Sequence, residues 1–458
     1  MATLIFIQES MPLRDPKEGW RANYGQWIRA AMLTFVITYS TTSPVGHFID
    51  GIAFSVRQLV VFCTCVAVLL CACTMAIAAY VIFPIPFSVL TMTPVYNILY
   101  IVAFRLVMGT DVIRRTKAQP EQFKRYMNNL HAQILMMFVY PIYEVLFRTA
   151  QGSHYQLFVI LLLPIIKVVI KNIMRKCTMH AEDMVPEAVI FTVDFFNAIY
   201  VATCMQTASS AVSIVIIVLT DLSQTIIMLY GLHRRTAVIS SALTQTVQKP
   251  HKDQFLSVLC ELCRNPEIFK KQLRAVHPTT DVVDLTTRVF TDKRRPTRSR
   301  KPTRRKTAEH PTFLRDSLEA LFSTECLVLT SYLESVIPMF YTTYILVMVH
   351  LPSSKYHTEM VGITAENVGA RISPVFMFGL LQIASLLLLL VTIKRNCLMR
   401  ALYQLAFVLE SQKLLVQTKL IVWMMITLCF RVMHFGVDFT FKFSGFGYKI
   451  SSSSPGWP

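Results

Sequence analysis

The sequence predicts an all-α protein: a polytopic integral membrane helix bundle of about nine transmembrane helices, with its N-terminus cytoplasmic. Three observations lead there. The 458 residues are 53% hydrophobic and only 16% charged, against roughly 25% charged in an ordinary soluble domain. The apolar runs are continuous and mostly about twenty residues long, the length a helix needs to cross a bilayer. Glycine is scarce, at 14, while phenylalanine reaches 30. A transmembrane barrel would instead show alternating segments of about ten residues.

Residues 1–58 are mixed. Ile28 to Tyr39 is apolar but short, with Arg29 at its start, and reads as an interfacial or packed helix. Extending it to Phe54 as a further membrane segment, 28–54, would bury Pro44, His47 and Asp50. No basic stretch followed by a long apolar run opens the chain, so no cleavable signal peptide is expected and the first span acts as the targeting signal.

Six spans follow over 59–232. The first, 59–83, ends at Pro84 and Pro86, because proline cannot continue the hydrogen-bond ladder. The second is 87–108, followed by a hydrophilic, basic stretch, 109–131. The third, 132–147, contains Pro141, and the fourth, 156–170, contains Pro164. Both read as kinked spans, with discontinuous helices as the alternative. The fifth and sixth are 185–206 and 211–232, joined by a short link of small and polar residues.

A basic cytoplasmic loop, 233–325, comes next. It carries helical signals at 253–273 and 312–325. Between them, 276–311 is rich in Pro, Thr, Arg and Lys and is expected to be partly disordered. Three more spans, 326–349, 373–393 and 414–435, complete the membrane region. The tail 436–458 is punctuated by Gly, Ser and Pro and should be flexible.

Charge sets the direction of threading. Nine of the fourteen residues from Lys293 to Lys306 are basic: Lys293, Arg294, Arg295, Arg298, Arg300, Lys301, Arg304, Arg305 and Lys306. Such a cluster resists translocation and marks the cytoplasmic side. With it inside, the short inner segments hold 17 Lys and Arg and the outer segments 5. The outer segments then include 350–372, and the two chain ends fall on opposite sides. The net charge of +18 reads as loops facing anionic lipid at the cytoplasmic face rather than as a nucleic-acid interface. Phosphate on Thr297, Ser299 or Thr303 would weaken that attraction, against the simpler reading of a static stop-transfer tail. The partners expected are therefore the lipid bilayer and anionic lipids. Which membrane is involved, plasma membrane or endomembrane, is left open.

Acidic groups at membrane depth are the sharpest chemical signal. Asp194, Asp221 and Glu334 lie well inside spans five, six and seven. Asp194 and Asp221 are 13 and 11 residues from the link at 207–210, which places them within roughly 3 Å of each other along the membrane normal. Glu334 falls in the same layer, and Asn197 and Gln224 sit one turn from the two aspartates. Arg105, Lys167, Lys419 and Arg431 are near span ends and are expected to snorkel to the headgroups. Glu144 reads as interfacial. The acids either line a cation or proton path or hydrogen-bond to neighbouring helices and fix packing.

Other signals are thin. Cys260-Glu261-Leu262-Cys263 is a lone CxxC, which reads as helix packing without a second ligand pair. No phosphate loop, HExxH or GxSxG sequence occurs, so no enzyme is expected, and no cofactor or metal. Tyr332-Leu333-Glu334-Ser335-Val336-Ile337-Pro338, followed by Tyr341, Tyr344, His350-Leu351-Pro352 and Tyr356, resembles a pattern in oomycete-type polytopic membrane proteins of unassigned function, mainly over residues 325–395. That resemblance implies no substrate and no site, but draws attention to Glu334 and the loop after His350. Two functions remain in view: a transporter or channel with an acidic intramembrane path, and a non-transporting receptor or scaffold acting through its basic loop.

Overall fold

The fold is that of a computed structural model, which describes residues 2–150, 152–153, 155–178, 186–208, 210–246, 310–397, 400–429 and 431–436. Among the described residues it is mostly helical. Helix α1 is Ala2–Ser10, α2 Tyr24–Thr42, α3 Val45–Phe48, α4 Val56–Tyr80, α5 Ser88–Met108, α6 Thr110–Ala118, α7 Pro120–Ala150 and α8 Gln156–Thr178. A π-wound segment, Pro186–Asp194, runs directly into α9, Phe195–Thr207. Then come α10 Ala211–Thr246, α11 His310–Met348, α12 Val368–Cys397, α13 Ala401–Ser411 and α14 Lys413–Met424, the last continued by a π turn, Met425–Cys429. Among the described residues the one β-type pairing is an isolated bridge between His357 and Val432.

Among the described residues, seven helical stretches are long and apolar enough to cross a membrane: α4, α5, α7, α8, Val189–Thr207, Ala211–Gly231 and Val368–Arg395. Ala401–Ser411 and Val416–Cys429 pass as a pair bent by 81°, which makes up to eight. The expected spans fall on helices, the seventh on α11, which is not one of these seven, and the ninth only as far as Cys429. The chain is thus a multi-pass, membrane-embedded bundle.

The third and fourth spans are longer than expected. Helix α7 runs straight through Pro141 for 31 residues and α8 through Pro164 for 23. Both prolines therefore lie inside continuous helices, and the basic stretch before span three is itself helical.

The core is organised on α9. Every residue from Phe195 to Gln206 is buried, as expected of a helix that is apolar all round. Phe196 stacks on Tyr140 of α7 with ring centroids 5.4 Å apart and meets Trp423 of α14 edge-on at 5.0 Å. A smaller core, Leu59, Phe62, Val66 and Ala103, joins α4 to α5.

Helix α2 changes the threading. Its first turns meet the far end of α4: Trp27 packs on Phe83 with centroids 5.9 Å apart. Its last turn meets the other end of the bundle, where Thr42 bonds the Tyr100 hydroxyl at 2.9 Å and the Tyr126 hydroxyl donates to the Thr41 carbonyl at 2.6 Å. At 19 residues it is about 28 Å long and runs the depth of the bundle antiparallel to α4. Of the two readings of 28–39, interfacial or packed, the structure has the packed helix; α2 is not among the stretches apolar enough to cross a membrane.

The segment before α2 also sits at an unexpected end. Ser353 Oγ donates to the Glu9 carbonyl at 2.8 Å, and His357 Nε2 lies 2.9 Å from Glu9 Oε2. His434 Nε2 lies 2.6 Å from the Arg14 carbonyl. Residues 1–23 and 350–372 thus share one end of the bundle, so the expectation that they face opposite compartments does not hold.

Candidate functional site

Three of the sequence-predicted residues converge on one point. Helix α8 places Lys167 and Lys171 one turn apart on the same face. Asp194, the last residue of the π-wound segment, lies between them: Lys171 Nζ is 2.8 Å from Asp194 Oδ1 and Lys167 Nζ is 3.5 Å from it. Thr330 of α11 donates to Asp194 Oδ2 at 2.9 Å. One turn further along α11, Glu334 accepts from Lys167 Nζ at 2.6 Å. Asp221 of α10 stands within electrostatic reach of Lys167 and Glu334, and its Oδ2 accepts from the Gln382 amide of α12.

Lys167 is only 7% exposed. It does not snorkel, which corrects the sequence expectation. A lone ammonium or carboxylate at this depth costs several kcal/mol, and each offsets the other here. The ledger of formal charge is uneven, however. Three carboxyls, Asp194, Asp221 and Glu334, face two ammonium groups, Lys167 and Lys171. Asp221 is the acid with no cation bonded to it among the described residues.

Asp221 also lines a small cavity between α7, α8, α9 and α10. Its volume is about 30 Å³, room for a water molecule or two. Its polar lining is Tyr143, Asn197, Thr220, Asp221 and Gln224. Both amides predicted from sequence, Asn197 and Gln224, therefore stand at the cavity with Asp221. Asp194 and Glu334 are set back in the lysine network instead.

A second charged network caps this region nearer the end that holds 1–23. Arg431 Nη2 is 3.1 Å from Glu144 Oε2, and Arg431 also pairs with Glu359. Its guanidinium lies 5.0 Å from the centre of the Tyr200 ring. Glu144 is bridged again by Arg148 at 2.6 Å. The Tyr341 hydroxyl donates to Gln206, whose amide donates to the Glu359 carbonyl at 3.3 Å. Glu144 is 7% and Arg431 4% exposed, so neither is interfacial and Arg431 does not snorkel. Lys419 is likewise turned inward, donating to Gln133 Oε1 at 2.9 Å, whereas Arg105 is exposed as expected.

The Glu144–Arg148 spacing of four residues was a legible helical ion pair. Arg431 was legible only as a cation near a span end, and nothing local pointed to Glu359; the chain beyond α14 and α11 brings them together. Cys204 connects the two networks: it lines the cavity and stands within electrostatic reach of Glu144, Arg148 and Arg431.

No family model, no curated protein and no solved structure matches this chain. Among the described residues no three His, Cys, Asp or Glu side chains cluster closely enough to hold a metal ion between them. The Lys293–Lys306 run, its phosphorylatable Thr297, Ser299 and Thr303, the Cys260–Cys263 pair, the 276–311 segment and the tail beyond Gly436 lie outside the described residues.

Proposed function

We propose that this multi-pass protein is a transporter or channel that moves protons or cations, along a path between α7, α8, α9 and α10. The single observation that carries the reading is the position of Asp221. It is the acid left over from the Lys167–Lys171 network, and it borders a small cavity whose lining mixes polar and apolar side chains. Ionisable groups that face the interior of a membrane bundle are costly to keep and mark ion pathways. Asp194 and Glu334 are held in helix contacts with Lys167, Lys171 and Thr330, so the reading rests on Asp221 alone.

Electrostatics supports the direction of the path. The lining residues run from Asp221 past Asn197 to Cys204, which stands within electrostatic reach of Glu144 and Arg431. An arginine held between two carboxylates near such a cavity is a suitable gate, because moving it would expose carboxylates to the incoming ion.

The test is flux in vesicles containing the purified protein, driven in turn by proton, sodium and potassium gradients. Wild type should carry a flux that Asp221→Asn abolishes at unchanged protein content. Absence of flux under every gradient would overturn transport and favour a receptor or scaffold. We also propose that Lys293–Lys306 binds anionic lipid at the cytoplasmic face, on the strength of its nine positive charges.

A further inference from the structure

We infer that the ion handled at Asp221 is the proton: Asp221 holds one as an uncharged carboxyl in the folded protein at neutral pH, and exchanges it with water in the adjoining cavity. The inference rests on the transport reading and names its substrate, but the bound proton can be observed whether or not anything is transported.

Bonding is the first ground. Lys171 Nζ is 2.8 Å from Asp194 Oδ1. Lys167 Nζ is 2.6 Å from Glu334 Oε1 and 3.5 Å from Asp194 Oδ1. Both ammonium groups are thus already held by carboxylates. Asp221 instead receives an N–H from the neutral Gln382 amide. Its surroundings follow element by element. Helix α8 presents Lys167, which is bonded to Glu334, and α11 presents Glu334 itself, a like charge. Helix α12 presents Gln382, while α7 and α9 bring Tyr143, Asn197 and Cys204 to the cavity.

Charge balance is the second ground. With Asp194 and Glu334 ionised and Lys167 and Lys171 protonated, the four charges cancel. Ionising Asp221 as well would set an uncompensated negative charge beside Glu334, and a proton removes that cost. The cavity wall argues the same way. Ile160, Leu163, Pro164, Val201 and Ile217 stand in it, and apolar surroundings disfavour the charged form of a carboxyl. Such a lining suits a proton and not a metal ion, which needs several oxygen ligands around it. At about 30 Å³ the cavity admits one or two waters. Tyr143, Thr220, Asn197 and Gln224 line it too and can hydrogen-bond such water. Exchange breaks one O–H bond and forms another: Asp221 is left a carboxylate and the water becomes hydronium.

The experiment is infrared spectroscopy of the purified full-length protein in lipid vesicles, in H2O and D2O. A protonated carboxyl has a carbonyl stretch apart from those of carboxylates and amides, and it moves in D2O. Ordinary Asp and Glu side chains titrate at about pH 4, so at neutral pH such a band reports a carboxyl that has kept its proton. Wild type should show the band and Asp221→Asn should lack it. Glu334→Gln should lose it too, because Lys167 is then released to Asp221 and the network is neutral with Asp221 ionised. Gln382→Leu should keep the band but shift it, since the Asp221 carboxyl loses a hydrogen bond. Should Asp221→Asn fail to fold, the wild-type band and its shift in Gln382→Leu still decide. No band in wild type at neutral pH, or a band that neither variant alters, would overturn the inference. The band without proton flux in the same vesicles would leave the bound proton standing and count against transport. Sodium or potassium flux with no protonated carboxyl would do the reverse.

Discussion

Lys167 Nζ lies 2.6 Å from Glu334 Oε1 and 3.5 Å from Asp194 Oδ1, so a single ammonium ties α8 to α11 and to the π-wound entry of α9. Removing one member of a buried ion pair costs about 3–5 kcal/mol, because the partner is left charged in a medium that does not solvate it. Lys167→Met should therefore lower the unfolding midpoint sharply in detergent. Adding Glu334→Gln should recover part of the loss, since Asp194 retains Lys171 at 2.8 Å. A double variant no more stable than Lys167→Met would show that the two side chains do not share a charge.

Much of this arrangement was readable from the chain, and the exceptions have a common cause. Runs of about twenty apolar residues determine helices strongly, so the expected spans fall on helices, the ninth only as far as Cys429. Depth along a helix is fixed by its rise per residue, which is why Asp194, Asp221 and Glu334 could be assigned to one layer and do come together. Azimuth is not fixed by depth. Lys167, Lys419 and Arg431 stand near span ends, where a long side chain can reach either headgroups or a buried carboxylate. Only the packing partner decides, and Glu334, Gln133 and Glu144 come from distant parts of the chain. Residues 28–39 read as an interfacial or packed helix for a related reason. Arg29 argues against a crossing in isolation, yet its Nη1 is 2.8 Å from Glu9 Oε2, and Nη2 donates to the carbonyls of Glu9 and Met11 at 2.9 and 2.8 Å.

The end of the bundle that holds these contacts should be acid-sensitive. Burial alone would push the Glu9 carboxyl up, but His357 and Arg29 beside it, with Cys429, hold it below its ordinary 4.5. His434 stands in a 3₁₀ turn beyond the last helix, against Tyr356 and Phe83. Burial holds it below its ordinary 6.5; the Arg14 carbonyl and Asp15 oppose that, while Arg29 and His357 add to it. Its Nδ1 is buried with no acceptor, so protonation there would bury an unpaired N–H. In both cases the folded state binds fewer protons than the unfolded chain, and stability rises with pH across the shifted window. The His434 contribution is complete above about 6.5 and declines as pH falls through its folded value. The Glu9 contribution is complete above about 4.5 and declines below that. The unfolding midpoint should thus drop in two stages on acidification. His434→Phe should flatten the upper stage and Glu9→Gln the lower; a midpoint constant from pH 7.5 to 4 would refute the scheme.

The basic run makes a prediction that needs no folded partner. A peptide spanning 293–306 carries nine positive charges, each contributing about 1 kcal/mol near an anionic surface. It should bind vesicles containing phosphatidylserine and ignore neutral ones. Binding should fall steeply as salt shortens the Debye length from about 10 Å at 0.1 M to about 3 Å at 1 M. Phosphate on Thr297, Ser299 and Thr303 together should abolish most of it. Equal binding to neutral vesicles would mean that charge is not the recognised feature.

The contact between Glu9 and His357 decides how the chain is threaded. Two side chains 2.9 Å apart cannot lie on opposite sides of a membrane, and Ser353 bonds the Glu9 backbone besides. An epitope at the N-terminus and one inserted at Glu366, an exposed loop position, should therefore become accessible together in sealed cells or vesicles. The Lys293–Lys306 run should be protected whenever they are exposed, because α11 runs between that loop and His350. If the N-terminal epitope instead titrates with the basic loop, α2 does not cross. The Arg29–Glu9 pair would then have to form at the other face, away from Ser353 and His357, and the unfolding midpoint of His357→Ala would match that of wild type.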